Sequence, residues 1–333
     1  MHWVAELAGA DPFLGFGTAD LGGRAEHPDD AESVAIIGAA LDSGIRVLDT
    51  APWYGRGRSE HRLGMALAAR DLTAEQLWVS TKLGRVLSPT ESGDLSAPWP
   101  DGFSAEVVFD YTEQGVLQSY ADSLERLRLD RVTALLVHDL DAKYHGDATF
   151  DRHVGDLVTS GWPALVRLRT NGKVAALGVG INETGAVGAF LDVLHPLPDF
   201  FMIAMPYTLA DQSGLADLNS CAAAGVDVVI GAPFASGVLA GAGTARATFG
   251  YRAAPPDLLA KIRRIEEVCG AHGVPLRAAA LDFVTRHPAV AGVVAGGSSI
   301  DHVVQLAEGF GTLVPDPCYE ELRALGLIDA SAP

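Results

Sequence analysis

The chain has 333 residues, of which 48% are hydrophobic and 20% charged; this excludes a disordered polymer and supports a large buried core. Its formal net charge of −18 at pH 7 excludes an electrostatic footprint for nucleic acid or an anionic membrane. Length alone suggests two domains, but α/β barrels routinely run past about 250 residues as one, and a single domain over residues 1–333 is expected.

In chain order, the opening MHWVAELAGADPF has no basic stretch leading into an apolar one. No secretory leader is therefore expected, and the cytoplasm is the expected location. Short apolar runs rich in β-branched residues follow at 13–16, 46–49, 77–81, 133–138, 176–180, 201–205, 227–231 and 292–295. Most are apolar on both faces, as strands of a buried parallel sheet must be. Helical spacing of apolar residues fills the gaps at 31–41, 60–69, 113–127, 162–170, 184–194, 214–224, 277–285 and 300–308. Gly44, Gly172 and Gly225 sit just past three of these helices, where a left-handed cap favours glycine.

Eight strands alternating with eight helices predict a closed (β/α)8 TIM barrel. An open doubly wound sheet is the alternative. Neither Gly15-Phe-Gly17 nor Gly178-Val-Gly180 completes a dinucleotide-binding fingerprint, which weakens it. Longer irregular insertions are expected at 84–110, 139–161 and 234–256, each following a strand and so emerging at the C-terminal mouth of the barrel, where barrel enzymes place their sites. Cys221, Cys269 and Cys318 are widely spaced and read as reduced, buried thiols. The ten histidines show no ligand spacing, so no metal is expected.

The chemistry sits at the strand ends. The second strand ends in Asp49, with Tyr54 in the loop after it; the third leads into Lys82; the fourth ends in His138-Asp139. A closed barrel would bring Asp49, Lys82 and His138 to one rim, with Tyr54 over the same opening. A free phenol, with a pKa near 10, is a poor acid–base group at neutral pH, but a neighbouring ammonium favours its phenolate. Lys82 can supply that charge, Asp49 can hold it, and His138 can orient a substrate oxygen without being charged. Taken singly, each residue is more often a cap or an ordinary ion-pair partner. The weight lies in the combination.

Leu48-Asp-Thr-Ala-Pro-Trp-Tyr-Gly55, with Ser59-Glu60 and Leu63-Gly64, resembles the signature of the aldo-keto reductases. Val79-Ser-Thr-Lys82 resembles the segment carrying the family lysine, and Ser123–Asp130 followed by Leu135-Leu-Val-His138 the stretch carrying its histidine. Together these motifs are specific, and similarity runs over about residues 13–325. The resemblance implies Tyr54 as general acid/base, Lys82 and Asp49 as its tuning pair, and His138 as substrate-orienting donor. It also implies a nicotinamide cofactor lying across the rim, with Asn182 at its carboxamide, Gly231, Pro233, Phe234 and Gly237 beside it, and Gly296, Gly297, Ser298 and His302 at its adenosine phosphate end. Helix N-termini favour such anions.

Two departures from the family pattern matter. The lysine near Gly296 and the arginine near His302 that grip a 2′-phosphate in NADP-specific members are missing, so NAD is expected, with NADP at most alongside it. Gly231 stands where many members stack a tyrosine on the nicotinamide, leaving Phe234 as the candidate flanking ring.

Several segments, among them Thr50–Gly55, Gly161–Arg169 and Pro233–Leu239, resemble the sugar 1-dehydrogenase branch, which covers D-threo-aldose, L-fucose and L-galactose dehydrogenases and includes pyridoxal 4-dehydrogenases. The substrate implied is an aldose or aldehyde, with Trp53, Tyr54 and His138 lining its pocket. Trp99, His145 and Asp139 are weaker candidates; Trp99 reads better as loop packing and Asp139 as a cap. Competing readings are a general NADPH aldehyde reductase and a cofactor-binding regulatory subunit with vestigial turnover; an intact set of four argues against the latter. A monomer or small homo-oligomer is expected.

Overall fold

Runs apolar on both faces are stable only in a sheet covered on both sides. In the computed structural model the barrel strands are β1 (Phe13–Gly17), β2 (Val47–Asp49), β3 (Trp78–Leu83), β4 (Ala134–His138), β5 (Ala176–Ile181), β6 (Phe200–Ala204), β7 (Asp227–Gly231) and β8 (Val290–Gly296). Each pairs in parallel with the next, and β8 returns to β1 to close the barrel. The (β/α)8 barrel expected from the sequence is the one found. The structure describes residues 2–23, 28–90, 98–241, 248–249 and 252–333.

The expected helices occupy Asp30–Asp42, Arg58–Ala68, Glu113–Leu127, Trp162–Thr170, Ala186–Val193, Leu215–Ala224, Leu276–Thr285 and Ile300–Gly309. Gly44, Gly172 and Gly225 take left-handed φ values of 87°, 70° and 67° past three of them, as the caps require.

The insertions are more regular than expected. The first contains an antiparallel hairpin, Arg85–Pro89 with Ala105–Phe109, whose strands are partly exposed and so lack the continuous apolar runs of the barrel. The second is largely helical, over Ala142–His145 and Asp147–Asp156, and winds through Leu157–Gly161 into Trp162–Thr170. The third pairs Thr248–Phe249 with Arg252–Ala253. Positions 91–97, 242–247 and 250–251 of these insertions lie outside the described residues. Trp3–Ala8, Pro256–Ala271 and Asp316–Ala324 are further helices. No helix among the described residues is long and apolar enough to cross a membrane.

Strand side chains alternate between the two faces of a sheet. Leu48, Val79, Leu135 and Val137 belong to the core shared with the outer helices. Their neighbours Val47, Trp78, Ala134 and Leu136 fill the barrel interior together with Phe13 and Phe200. Gly178 makes room there, because a Cβ at that position would stand 2.8 Å from the Phe200 ring.

The lower end of the barrel is stoppered by the helix Trp3–Ala8, whose Val4 and Ala5 join the interior cluster. Asp227, at the start of β7, holds that helix by accepting from the Val4 backbone N–H at 2.9 Å and pairing with His2 at 2.7 Å. Following the inward parity to the upper end of β2, β3 and β4 reaches Asp49, then Ser80 and Lys82, then His138.

Candidate active site

Asp49, Lys82 and His138 are each 3% exposed. The Lys82 ammonium donates to Asp49 Oδ2 at 2.6 Å, to the Thr50 carbonyl at 2.9 Å and to the Tyr54 hydroxyl at 3.1 Å, which occupies all three of its protons. Ser80 Oγ donates to the other Asp49 oxygen at 2.7 Å. The Tyr54 and His138 rings meet edge to face, 5.8 Å between centroids. The four residues named from the sequence therefore stand in one cluster at the upper mouth. Burial pulls the Lys82 ammonium down, but the Asp49 carboxylate and Tyr54 together carry it above its ordinary value, so it stays charged. Burial, and then the cations of Arg85 and Lys82, push His138 well below its ordinary value, and its ring is neutral.

The loop carrying Tyr54 is fixed by its sequence. Gly55 takes φ +67°, and a Cβ there would lie 1.9 Å from the Gly22 carbonyl oxygen; only glycine allows the loops after β1 and β2 to meet. Ser59 donates to the Thr18 carbonyl at 2.8 Å and lies within hydrogen-bond distance of the Thr50 hydroxyl at 3.1 Å. The fully buried Glu60 carboxylate accepts from Thr81 on β3 and from Arg126, both at 2.6 Å. The Ser-Glu pair of the motif thus ties the Tyr54 loop to the strand carrying Lys82.

Around the mouth, Trp53 is half-buried beside Tyr54. Behind it lies Trp99, fully buried, with its ring edge-on to Trp53 at 6.4 Å and tilted against Tyr54 at 6.0 Å. The loop-packing reading of Trp99 fits this position better than a sugar platform. His145 packs among Phe109 (4.7 Å), Tyr144 (5.0 Å) and His153 (5.2 Å) in the wall formed by the hairpin and the helical insertion.

Two residues gain a weight that the sequence reading did not give them. Arg85, unremarked there, is 2% exposed, lies over the Trp53, Phe109 and Tyr144 rings, and donates to Asp139 at 2.8 Å. Asp139 accepts from the Asn182 side-chain amide at 2.7 Å and stands 3.4 Å from His138 Nε2. The available signal was the placement of Arg85 two residues past Lys82-Leu83 and of Asp139 next to His138, both beside strand ends.

The residues assigned to a cofactor fall at the ends of β5, β7 and β8. Asn182 follows β5, while Gly231 ends β7 and leads into buried Pro233, half-buried Phe234 and exposed Gly237, whose φ is +99°. Gly296 ends β8 and is exposed, with Gly297 and Ser298 leading into the helix Ile300–Gly309. Ser299, not Ser298, caps that helix, accepting from the His302 backbone N–H at 3.2 Å; the Ser298 N–H is turned to the His302 ring at 3.4 Å. A Cβ on Gly296 would stand 3.0 Å from the Gly17 carbonyl and 3.5 Å from the Asp20 carboxylate. Bare backbone beside a helix N-terminus suits a diphosphate, and the Asn182 amide suits a carboxamide, so these residues fit a nicotinamide dinucleotide. Among the described residues no group of three or more His, Cys, Asp or Glu side chains could hold a metal ion.

A closed (β/α)8 barrel with a buried lysine, its carboxylate, a tyrosine and a neutral histidine at its upper mouth describes a barrel-type oxidoreductase working with a nicotinamide cofactor. Residues 13–325 match the model of the aldo/keto reductase family. The chain belongs to that family and is an NAD(P)-dependent oxidoreductase. It is 37% identical over 336 residues to a D-threo-aldose 1-dehydrogenase from Pseudomonas sp., covering 98% of this chain and 97% of that one. It is 34% identical over 327 residues to a pyridoxal 4-dehydrogenase from Microbacterium luteolum, covering 95% and 94%. The solved glycerol dehydrogenase of Gluconobacter oxydans superposes with a TM-score of 0.74 at 23% identity, covering 96% of this chain and 93% of that one; at that identity the likeness speaks for the fold alone.

Proposed function

We propose that the protein is an NAD-preferring dehydrogenase that oxidises an aldose at C1 to its lactone, with Asp49, Tyr54, Lys82 and His138 as its catalytic set. The observation that carries the reading is the buried ammonium of Lys82, 3.1 Å from the Tyr54 oxygen and 2.6 Å from Asp49. An ammonium hydrogen bond to a phenol oxygen stabilises the phenolate, so Tyr54 takes the proton of the anomeric hydroxyl and returns it in the reverse direction. Neutral His138 steers the same oxygen. General acid–base assistance of this kind contributes about 10²–10⁴-fold. When bound, the nicotinamide supplies the hydride chemistry that no side chain provides. Asn182 would hold its carboxamide, the Gly231–Gly237 segment its nicotinamide half, and Gly296, Gly297, Ser298 and His302 its adenosine diphosphate.

The aldose assignment draws on Trp53, which offers a half-buried aromatic face beside Tyr54 of the kind sugar pockets use, and on the relative that acts on D-threo-aldoses. NAD is favoured over NADP because Asp301, exposed in the first turn after Ser299, would repel a 2′-phosphate, and no arginine replaces His302. A pyridoxal reading stands second, favoured by the relative at 34% identity; a flat pyridine would use the same Trp53 face. A single-domain cytoplasmic enzyme, monomeric or a small homo-oligomer, completes the proposal. Initial rates for L-fucose, D-arabinose and pyridoxal with each cofactor test it: sugar oxidation with NAD is expected. Reduction of simple aldehydes with NADPH, and oxidation of neither sugar nor pyridoxal, would overturn it.

A further inference from the structure

We propose that Arg85 and Asp139 form a positioning pair which sets the Asn182 amide for the cofactor and keeps His138 a neutral, Nε2-protonated donor. The inference rests on the roles given above to His138 and Asn182, and its test does not depend on which substrate is oxidised.

Asp139 leaves β4 with φ +43°, a left-handed conformation uncommon outside glycine. Among the described residues its carboxylate has three polar neighbours. Oδ1 accepts from Asn182 Nδ2 at 2.7 Å, Oδ2 accepts from Arg85 Nη2 at 2.8 Å, and Oδ2 lies 3.4 Å from His138 Nε2. An ionised carboxylate can only accept, and that fixes the groups opposite it. Asn182 must turn its nitrogen to Asp139, which leaves its oxygen as the free end. An oxygen is what the N–H₂ of a nicotinamide carboxamide needs; a reversed amide would meet it donor to donor.

The histidine is set by the same rule. His138 Nδ1 is buried and has no hydrogen-bond partner among the described residues. A buried N–H left unpaired is costly, so the single proton of the neutral ring belongs on Nε2, facing Asp139. Nε2–H is also the donor that a substrate oxygen needs.

A carboxylate this close would by itself draw His138 toward imidazolium. Arg85 prevents it. Among the described residues, the charged and titratable groups around the ring include Lys82 on β3 with its partner Asp49 on β2, Arg85 just past β3, Asp139 at the end of β4, Tyr54 on the loop after β2, and Tyr111, whose hydroxyl donates to the His138 carbonyl at 3.2 Å. Arg85 offsets the Asp139 charge, and its cation, followed by that of Lys82, adds to burial in holding the ring neutral. Its guanidinium cannot move off easily: it is 2% exposed and lies 5.0, 5.6 and 5.1 Å from the Trp53, Phe109 and Tyr144 ring centres. The shift of His138 below its ordinary value, with Arg85 among the causes after burial, agrees with this balance.

The experiment follows the His138 ring nitrogens by long-range proton–nitrogen correlation in full-length, nitrogen-15 histidine-labelled protein, and measures NAD affinity by fluorescence without any sugar. In the unaltered protein His138 should stay neutral and Nε2-protonated from mildly acidic to alkaline pH. In Arg85→Met the uncompensated carboxylate should raise the His138 titration by about 1–3 pH units, so that imidazolium becomes visible at the acidic end. Arg85→Lys should restore the neutral ring, which a purely packing role for Arg85 does not predict.

Asp139→Asn keeps the left-handed turn, which asparagine tolerates, and tests the pair even if Arg85→Met fails to fold. Its single oxygen is held by Arg85, so its N–H₂ faces Asn182 and reverses that amide. NAD should then bind about tenfold more weakly. A His138 ring that stays untitrated in folded Arg85→Met would overturn the charge-balancing role. Unaltered NAD affinity in Asp139→Asn would overturn the amide-setting role. Failure of the aldose reading would appear elsewhere, in turnover of the unaltered protein.

Discussion

Lys82 donates a hydrogen bond to the Tyr54 hydroxyl across 3.1 Å, with its remaining protons held by Asp49 and the Thr50 carbonyl. Tyr54→Phe removes the hydroxyl that would carry the proton and leaves Lys82 charged, with Asp49 and the Thr50 carbonyl still holding it. The variant should lose about 10²–10⁴-fold in kcat while binding NAD with unaltered affinity. Steady-state kinetics and fluorescence titration check both halves, and near-normal turnover would refute the role given to Tyr54.

Stability and activity should separate at the Lys82–Asp49 pair. Removing one partner of a buried ion pair strands the other charge, so Asp49→Asn should cost about 3–5 kcal/mol in denaturant unfolding. Replacing both charges relieves that stranded ammonium. The double variant Asp49→Asn with Lys82→Met should regain much of the lost stability and none of the activity. If the double variant proves no more stable than Asp49→Asn alone, the burial argument is wrong.

Asp141 gives the fold a pH dependence of its own. It is 4% exposed, accepts from the Asn182 backbone N–H at 3.3 Å, and its other oxygen has no partner among the described residues. Burial first, and the neighbouring Asp139 next, push its carboxyl from 3.8 up to about 7. The folded chain therefore holds this proton at pH values where the unfolded chain has released it. The associated stability is complete below the unfolded value and is lost as pH rises toward about 7. Asp141→Asn removes the titration and should stabilise the protein at neutral pH, by at most about 4 kcal/mol. Urea unfolding at several pH values reads this directly: the difference between the two proteins should grow from mildly acidic to neutral pH, and a constant difference would contradict it.

Gly55→Ala forces a side chain into left-handed backbone and against the Gly22 carbonyl. The backbone alone costs about 1–2 kcal/mol, and relief of the contact must move the segment carrying Tyr54. Lower thermal stability and a fall in kcat should appear together. A variant that loses stability but keeps full turnover would show that Tyr54 tolerates displacement.

Cofactor choice is open to a single substitution. His302→Arg offers a guanidinium at an exposed first-turn position of the helix Ile300–Gly309. It should raise NADP affinity about tenfold relative to NAD, as measured by paired titrations. An unaltered ratio would separate this helix from the 2′-position of the bound nucleotide.

The barrel was legible because its strands are buried on both faces, and such runs stand out in a sequence. Strand ends were less so: β3 continues through Lys82 and Leu83, and β8 begins at Val290, because pairing extends beyond the densest apolar stretch. Tyr54 and its neighbours were legible because they cluster within a short motif. The pairing of Arg85 with Asp139 was not, since it spans 54 residues and their places beside strand ends do not reveal it. The helix Pro256–Ala271 lies outside the expected elements although Ile262, Ile265 and Cys269 recur at helical spacing and are buried. Eight strands and eight helices already completed the expected repeat, and this helix falls outside it. The hairpin Arg85–Pro89 with Ala105–Phe109 carries the half-exposed alternation of a two-stranded ribbon, which is weak over five residues.

Side chains fill the barrel below Lys82 and the helix Trp3–Ala8 covers its lower end, so the vessel has a single neck. A molecule that is to reach Tyr54 therefore has one way in, past the upper lip.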